Sequence, residues 1–326
     1  MRDGTGRTID YMRISITDRC NLRCRYCMPD GIQCLPREEI LTYREIEEIA
    51  ACAADLGIRH LKITGGEPLV RRGCAGLVGR LKELPGIETV TITTNGVLLA
   101  DVLDELLAAG IDGINISLDT LNPDRYRELT GGGDIGRVLT GLGRAAETEV
   151  PVKINAVSLD LGAENWRQLL ELGRDRKVDV RFIEMMPIGY GKNFPALDHR
   201  SLLEEMRRVY PGMERDERRH GFGPAVYYRI PGFLGSAGLI SAIHGKFCSS
   251  CNRVRLTAQG YLKTCLCYHD GTDLREILRR EETGEEERRE LLKQAMEEAI
   301  RRKPGAHCFE RPEAITEEEN MIRIGG

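Results

Sequence analysis

Three cysteines, Cys20, Cys24 and Cys27, stand in the run from Asp18 to Met28 with the spacing C-x3-C-x2-C. A loop of that length brings three thiolates onto a single metal centre. A closed zinc site takes four ligands and a cubane iron–sulfur cluster usually takes four cysteines, so three leave one coordination position open. An open position on a redox cluster invites a small molecule. A second group, Cys248, Cys251 and Cys265, has the spacing C-x2-C-x13-C, and Cys267 follows two residues later. Two readings stand for it. All four close a zinc site, or Cys248, Cys251 and Cys265 hold a second iron–sulfur cluster with one iron open and Cys267 is spare. Arg253 and Arg255 alternate with Val254 and Leu256 on the strand leaving this group, so both guanidiniums fall on one face and form an anion pocket beside it.

The turn Gly65-Gly66-Glu67-Pro68 follows an expected strand. Its glycines let a ligand approach the backbone, and Glu67 can accept from an amine. His199, His220, His244, His269 and His307 lack ligand spacing. Cys34, Cys52, Cys74 and Cys308 are isolated, and single thiols of this kind are more often core or surface groups than ligands.

The elements that must position these groups belong to a chain of 326 residues, 41% hydrophobic and 30% charged, with eleven cysteines and a net charge of −4. That describes a soluble globular protein of one large or two medium domains, and gives no case for general nucleic-acid binding. Residues 1–10 hold no apolar core of a signal peptide, and no stretch approaches the ~18 apolar residues of a membrane span. The cytoplasm is the expected compartment, where clustered cysteines are ligands rather than a disulfide framework.

Period-2 alternation predicts strands at 11–16, 59–64, 89–94, 113–119, 152–158 and 178–185, alternating with helices at 43–56, 75–84, 101–109, 123–148 and 164–173. This predicts an α/β fold with a parallel sheet, right-handed crossovers and helices outside. Six units fall short of a closed eightfold barrel, so the expectation is a partial (βα)6 TIM-like barrel over residues 1–200. Met12/Ile14/Ile16, Leu61/Ile63, Val90/Ile92, Ile114/Ile116/Leu118 and Val152/Ile154/Ala156 then point out under the helices. Arg13, Ser15, His60, Lys62, Thr64, Thr91, Thr93, Asn95, Asn115, Ser117, Asp119, Lys153 and Asn155 point in, joined by Arg181, and line a ligand cavity. Residues 201–326 are expected to form a C-terminal domain carrying the second cysteine group. There, 215–220 reads as a solvated charged stretch, 272–280 and 284–303 as surface helices, and 322–326 as a polar, flexible end.

Cys20-x3-Cys24-x2-Cys27, with Tyr26 before the last cysteine and Gly-Gly-Glu-Pro after the next strand, resembles the radical S-adenosylmethionine (SAM) enzymes. The run from His244 to Thr257, with Cys248-Ser-Ser-Cys251-Asn-Arg253-Val-Arg255 at its centre, the later Cys265 and the Gly325-Gly326 terminus are similar to the GTP 3′,8-cyclase family of molybdenum cofactor biosynthesis. The likeness covers nearly the whole chain. It implies two [4Fe–4S] clusters, on Cys20, Cys24 and Cys27 and on Cys248, Cys251 and Cys265. It also implies one-electron cleavage of SAM, hydrogen abstraction from C3′ of GTP and closure onto C8, giving (8S)-3′,8-cyclo-7,8-dihydroguanosine 5′-triphosphate. Tyr26, Gly66, Glu67, Asn95, Ser117 and Met186 are the implied SAM contacts. Arg13, Lys62, Thr93, Lys153, Arg181, Arg253 and Arg255 are the implied GTP contacts, with Arg13, Arg253 and Arg255 closest to the chemistry. The implied partners are a reductant protein such as flavodoxin or ferredoxin and, downstream, cyclic pyranopterin monophosphate synthase, with no nucleic acid or membrane; a homodimer is compatible with the resemblance.

The chain departs from the family in three places. His60-Leu61-Lys62 replaces Lys-x-Arg, which leads to the expectation that protonated His60 adds a phosphate contact. Gly73 replaces an acidic residue, and Cys267 is additional. The competing enzyme class is a radical SAM peptide or tetrapyrrole maturase with an auxiliary cluster. The non-enzymatic alternative is an electron-transfer iron–sulfur or zinc-scaffold protein.

Overall fold

In a computed structural model, which describes residues 1–28, 33–194, 197–281 and 283–325, the predicted alternation becomes a regular strand–helix repeat. β1 (Tyr11–Ser15), β2 (His60–Thr64), β3 (Thr89–Thr94), β4 (Ile114–Ser117), β5 (Val152–Val157) and β6 (Val178–Ile183) are separated by α1 (Tyr43–Asp55), α2 (Cys74–Lys82), α3 (Leu99–Ala108), α4 (Pro123–Thr130), α5 (Ile135–Ala146) and α6 (Ala163–Glu171). α1 starts at a reciprocal capping box between Thr42 and Glu45, which satisfies two otherwise orphaned backbone donors. Met12, Ile14, Leu61, Ile63, Val90, Ile92, Ile114, Ile116 and Ile154 are completely buried beneath the helices. The outward and inward assignments made from alternation therefore hold for these strands. The helical stretch expected at 123–148 is two helices, because Gly131, Gly132 and Gly133 interrupt it.

The remaining chain adds α7 (His199–Val209), β7 (Glu214–Asp216), β8 (Val226–Arg229), β9 (Ala237–Ile240), β10 (Arg253–Leu256), β11 (Tyr261–Lys263), β12 (Thr272–Asp273), α8 (Leu274–Leu278) and α9 (Glu285–Arg301). Its strands extend the same sheet on both flanks, in the order β12-β11-β10-β1-β2-β3-β4-β5-β6-β9-β8-β7. β10 pairs in parallel with β1, and β9 in parallel with β6. Eight consecutive strands are thus parallel, flanked by antiparallel hairpin strands. The wall is that of an open barrel whose first and last parallel strands come from beyond residue 230. Sequence spacing did not reveal this, because strands of four residues carry too few alternations to show which sheet they join.

α8 and α9 are less exposed than their charge suggests. Leu274, Leu292, Met296 and Ile300 are fully buried, and Arg279–Glu45, Arg288–Glu48 and Arg289–Asp55 ion pairs fasten these helices to α1. A narrow apolar stripe on α9 was hidden among Glu and Arg. No helix among the described residues is long and apolar enough to cross a membrane.

Candidate active site

Cys20, Cys24 and Cys27 lie in the loop leaving the carboxyl end of β1, and neighbouring backbone shapes that loop. On one side Arg23 N and Arg25 N donate to Thr130 O and Leu129 O at 2.8 and 3.0 Å. Gly131 ends α4 with φ +67°, and a Cβ there would lie 2.8 Å from Arg23 Cβ, so glycine permits the approach. On the other side Gly66 N and Glu67 N donate to Thr17 O and Arg19 O at 2.7 and 2.8 Å. A Cβ on Gly66 would overlap the Arg19 carbonyl. The Gly-Gly turn therefore grips the root of the cysteine loop, a use of glycine that the sequence reading of ligand approach did not include.

Glu67 is a fully buried carboxylate, rather than the open amine acceptor expected from the sequence. It accepts from Leu69 N at 3.0 Å, Thr94 Oγ1 at 2.7 Å and Asn95 N at 2.6 Å. Burial pushes its carboxyl up to about 7 in spite of these bonds. Asn95 Nδ2 donates to Asn21 Oδ1 at 2.7 Å and reaches Cys20 Sγ at 3.8 Å. Tyr26 donates to Asp119 Oδ2 at 2.6 Å, and Asp119 Oδ1 accepts from Val157 N at 2.8 Å. Ser117 ends β4 and Met186 follows β6, so the implied SAM contacts gather at the carboxyl mouth of the barrel.

Burial raises the thiol pKa of Cys20 and Cys24 and pushes Cys27 up to about 12, and Cys24 and Cys27 are raised further by neighbouring thiols of the same loop. Three thiols that hold their protons this firmly suit a cationic centre that takes the protons' place. Among the described residues no three Cys, His, Asp or Glu side chains converge tightly enough for one metal ion; a cubane spreads its thiolates over separate irons.

Inside the barrel, register decides the chemistry. Arg13 lies beside Lys62 on β2 and beside Arg255 on β10, so three cations occupy neighbouring strands ~4.8 Å apart. Burial lowers the pKa of each, Arg13 to about 10 and Lys62 and Arg255 far below their usual values, and the mutual repulsion of these cations with Arg181 and Arg253 adds to it. Among the described residues Lys62, Arg181 and Arg255 have no carboxylate partner. Arg181 donates to Asn115 Oδ1, but among the described residues its buried Nε and the buried Oδ1 of Asn155 have no partner. Half-buried Thr93 is in register with Asn115. Lys153 is held towards the amino end of the barrel, where it pairs with Asp179 at 3.1 Å and donates to Tyr227 Oη at 3.2 Å.

In the second group, Cys248 and Cys251 flank a short turn before β10, and Cys265 follows β11. Burial pushes the Cys251 thiol up, but Arg253 and Lys303 outweigh it and bring it down to about 7. Lys303, 5% exposed, donates to Arg253 O at 3.0 Å. Sequence reasoning missed it, because it closes the charged run Arg301-Arg302-Lys303 and looks like surface. Arg7, also unsuspected, donates to Cys248 O at 2.8 Å. Cationic surroundings favour the thiolate form that ligation of a metal needs. Cys267 turns instead to Cys308, with its Sγ 2.9 Å away.

The chain end is packed, contrary to the expectation of a flexible tail. Ile322 and Ile324 are buried, and Arg255 Nη1 donates to Gly325 O at 2.9 Å. Gly326 and Pro195 lie outside the described residues. The stretch 215–220, expected to be solvated, has Arg215, Glu217, Arg218 and Arg219 exposed; it runs out of β7 and lines a cavity of about 690 Å³ at the amino end of the barrel, together with Lys62, Lys153 and Arg181. His220 bridges Asp179 and Asp216 at 2.9 Å each. His60 was expected to add a protonated phosphate contact. It bonds Thr89 Oγ1 at 3.0 Å and stacks on Phe222 at 3.3 Å, and burial lowers its pKa.

A three-cysteine loop at the carboxyl mouth of an open parallel barrel defines a class. Residues 14–175 match the model of the radical SAM superfamily, and this chain is one of its members, with the [4Fe–4S] cluster and SAM that the superfamily uses. Residues 178–309 match the model described as Molybdenum Cofactor Synthesis C. The GTP 3′,8-cyclase of Peptoclostridium acidaminophilum is 43% identical over 327 residues, 99% of this chain and 98% of that protein. That of Clostridium perfringens (strain 13 / Type A) is 40% identical over 328 residues, the whole of both. The chain belongs to the GTP 3′,8-cyclase family. Its fold is similar to the crystal structure of Streptococcus suis SuiB bound to S-adenosylmethionine, with a TM-score of 0.65 and 18% identity over 82% of this chain and 64% of that one.

Proposed function

We propose that this chain converts GTP to (8S)-3′,8-cyclo-7,8-dihydroguanosine 5′-triphosphate, the first step towards molybdopterin. The observation that carries the reading is the in-register row Arg255–Arg13–Lys62. Three cations side by side, Arg255 buried and Arg13 and Lys62 half-buried, repel one another, and a multivalent anion lying across them relieves that repulsion; a triphosphate supplies about four negative charges. From β6 and β5, in register with each other, Arg181 Nε and Asn155 Oδ1, without partners among the described residues, offer one donor and one acceptor for the nucleotide. The full-length likeness to GTP 3′,8-cyclases supports this reading over a peptide or tetrapyrrole maturase.

Cys20, Cys24 and Cys27 would hold the cluster, which would supply the electron that makes SAM a hydrogen-abstracting reagent. Tyr26, fixed by Asp119, and the Gly66 backbone position that cofactor. Arg13, Lys62 and Arg181 hold the triphosphate, with Thr93 and Lys153 beside them. Arg253 and Arg255 orient the guanosine end against a second cluster on Cys248, Cys251 and Cys265. Because the product keeps its triphosphate, the same cations serve substrate and product. A flavodoxin or ferredoxin is the reductant that fits the one-electron demand.

The test is an anaerobic assay of reduced, reconstituted enzyme with SAM and GTP. Loss of GTP in step with 5′-deoxyadenosine formation is expected; 5′-deoxyadenosine without GTP loss overturns the reading and favours a maturase. Iron counting tests the second cluster. About eight irons per chain are expected for two cubanes, whereas four irons and one zinc would remove it.

A further inference from the structure

Eleven cysteines are present, and six are assigned to the two groups above. Of the other five, Cys34 is exposed and Cys52 and Cys74 are buried, each without another thiol as a hydrogen-bond partner. Cys267 and Cys308 differ. Their sulfurs are 2.9 Å apart, both side chains are buried, and they come from segments 41 residues apart. A disulfide has its sulfurs at ~2.05 Å, so less than about 1 Å of movement separates this pair from a covalent bond.

Cys267 lies just beyond β11. Cys308 opens the strap of chain that runs from α9 to the carboxyl terminus. The pair sits within a small apolar cluster with Leu266, Phe309 and Ile324, separate from the main core. The strap is already registered on Cys267: Thr316 N and Glu317 N donate to Cys267 O at 3.2 and 3.3 Å, and Cys308 Sγ donates to Ala314 O at 3.1 Å. Its far end reaches the ends of β1 and β10 through Gly325, which lies near Ser15 and Leu256 and accepts from Arg255. Whatever holds the strap therefore holds the segment that crosses the carboxyl mouth of the barrel.

We propose that Cys267 and Cys308 are a reversible dithiol–disulfide pair that clamps the carboxyl-terminal strap onto the barrel. The oxidant is a low-molecular-weight disulfide. When the strap lifts, the Cys308 sulfur attacks that disulfide and releases one small thiol; the Cys267 sulfur then displaces the second, forming the S267–S308 bond. Two protein thiols and one small disulfide become one protein disulfide and two small thiols, so electrons and protons balance. The proposal does not depend on the GTP reaction, because it concerns cysteines outside both ligand groups.

The test uses the full-length holoenzyme, incubated without oxygen with glutathione disulfide, then alkylated and mapped by mass spectrometry without reduction. A peptide linking Cys267 to Cys308 is expected, with iron content unchanged and the link removed by dithiothreitol. Amide exchange over 309–325 should slow at least tenfold in the linked form. Quantitative alkylation of both cysteines after denaturation, or glutathione retained on Cys308 alone, overturns the pair. An unchanged exchange rate in linked protein overturns the clamp. Cys308→Ser at full iron content is the control, and it should abolish the link; Cys267 linked to any other cysteine in wild-type protein of full iron content also overturns the proposal.

Discussion

At the scale of single residues, Lys62 and Glu67 carry charges where charge is unfavourable. Lys62 stands between cations, with its pKa far below 10.5 through burial and then through Arg181 and Arg13. A base whose folded pKa is lowered releases its proton on folding, so its penalty is full below the folded value and is relieved as pH rises towards 10.5. Lys62→Met should stabilise the nucleotide-free protein at pH 7 by the ~1–4 kcal/mol seen when buried charge gives way to apolar packing, and so raise its melting temperature. The same change should raise the KM for GTP ~10–100-fold, the loss of one charge-assisted contact. A wild-type melting temperature no lower than the variant's would refute the repulsion. Glu67 is the opposite case. Its folded pKa of about 7 exceeds the unfolded 4.5, so the folded state binds the extra proton and stability falls as pH rises from 4.5 to 7, by at most ~3 kcal/mol. Glu67→Gln should flatten that slope in thermal melts of the metal-free chain. An unaltered slope would place the titration elsewhere.

At the scale of elements, the loop of three cysteines is shaped within itself by Cys27 N and Met28 N donating to Cys24 O at 3.0 and 2.8 Å, and two neighbouring turns hold it in place. Gly66→Ala tests this, because the added Cβ meets the Arg19 carbonyl and carbon rather than a mobile side chain. The loop must shift, and iron and sulfide should fall by one cubane while the Cys248 group keeps its own. Full iron content in that variant would show that the turn can yield. A loss of both clusters would point to general misfolding instead.

Across the whole molecule, the carboxyl terminus and the first cysteine loop, some 300 residues apart in the chain, meet at the barrel mouth. Gly325 rests near Ser15 and Leu256, the last residues of β1 and β10, and accepts from Arg255. Deleting Gly325 and Gly326 should free Arg255 of its carbonyl partner and lower GTP turnover ~10-fold or more, while iron content stays near wild type, since the loss is of positioning rather than of ligands. Equal turnover would deny the tail a role.

The sequence by itself determined the chemistry and the inner face. The cysteine spacings, the Gly-Gly-Glu-Pro turn and the alternation of Arg13, Lys62, Thr93 and Lys153 with apolar neighbours are local patterns, and local patterns survive in a linear text. Tertiary structure decided the rest. That Arg255 lies beside Arg13 depends on β10 joining β1 in a register set by long-range pairing. That Lys303 is buried beside Cys251, Glu67 is sealed, His60 is stacked under Phe222 and Cys267 faces Cys308 depends on segments arriving from far along the chain. Burial and pairing are properties of neighbours in space, and no spacing rule within one segment contains them.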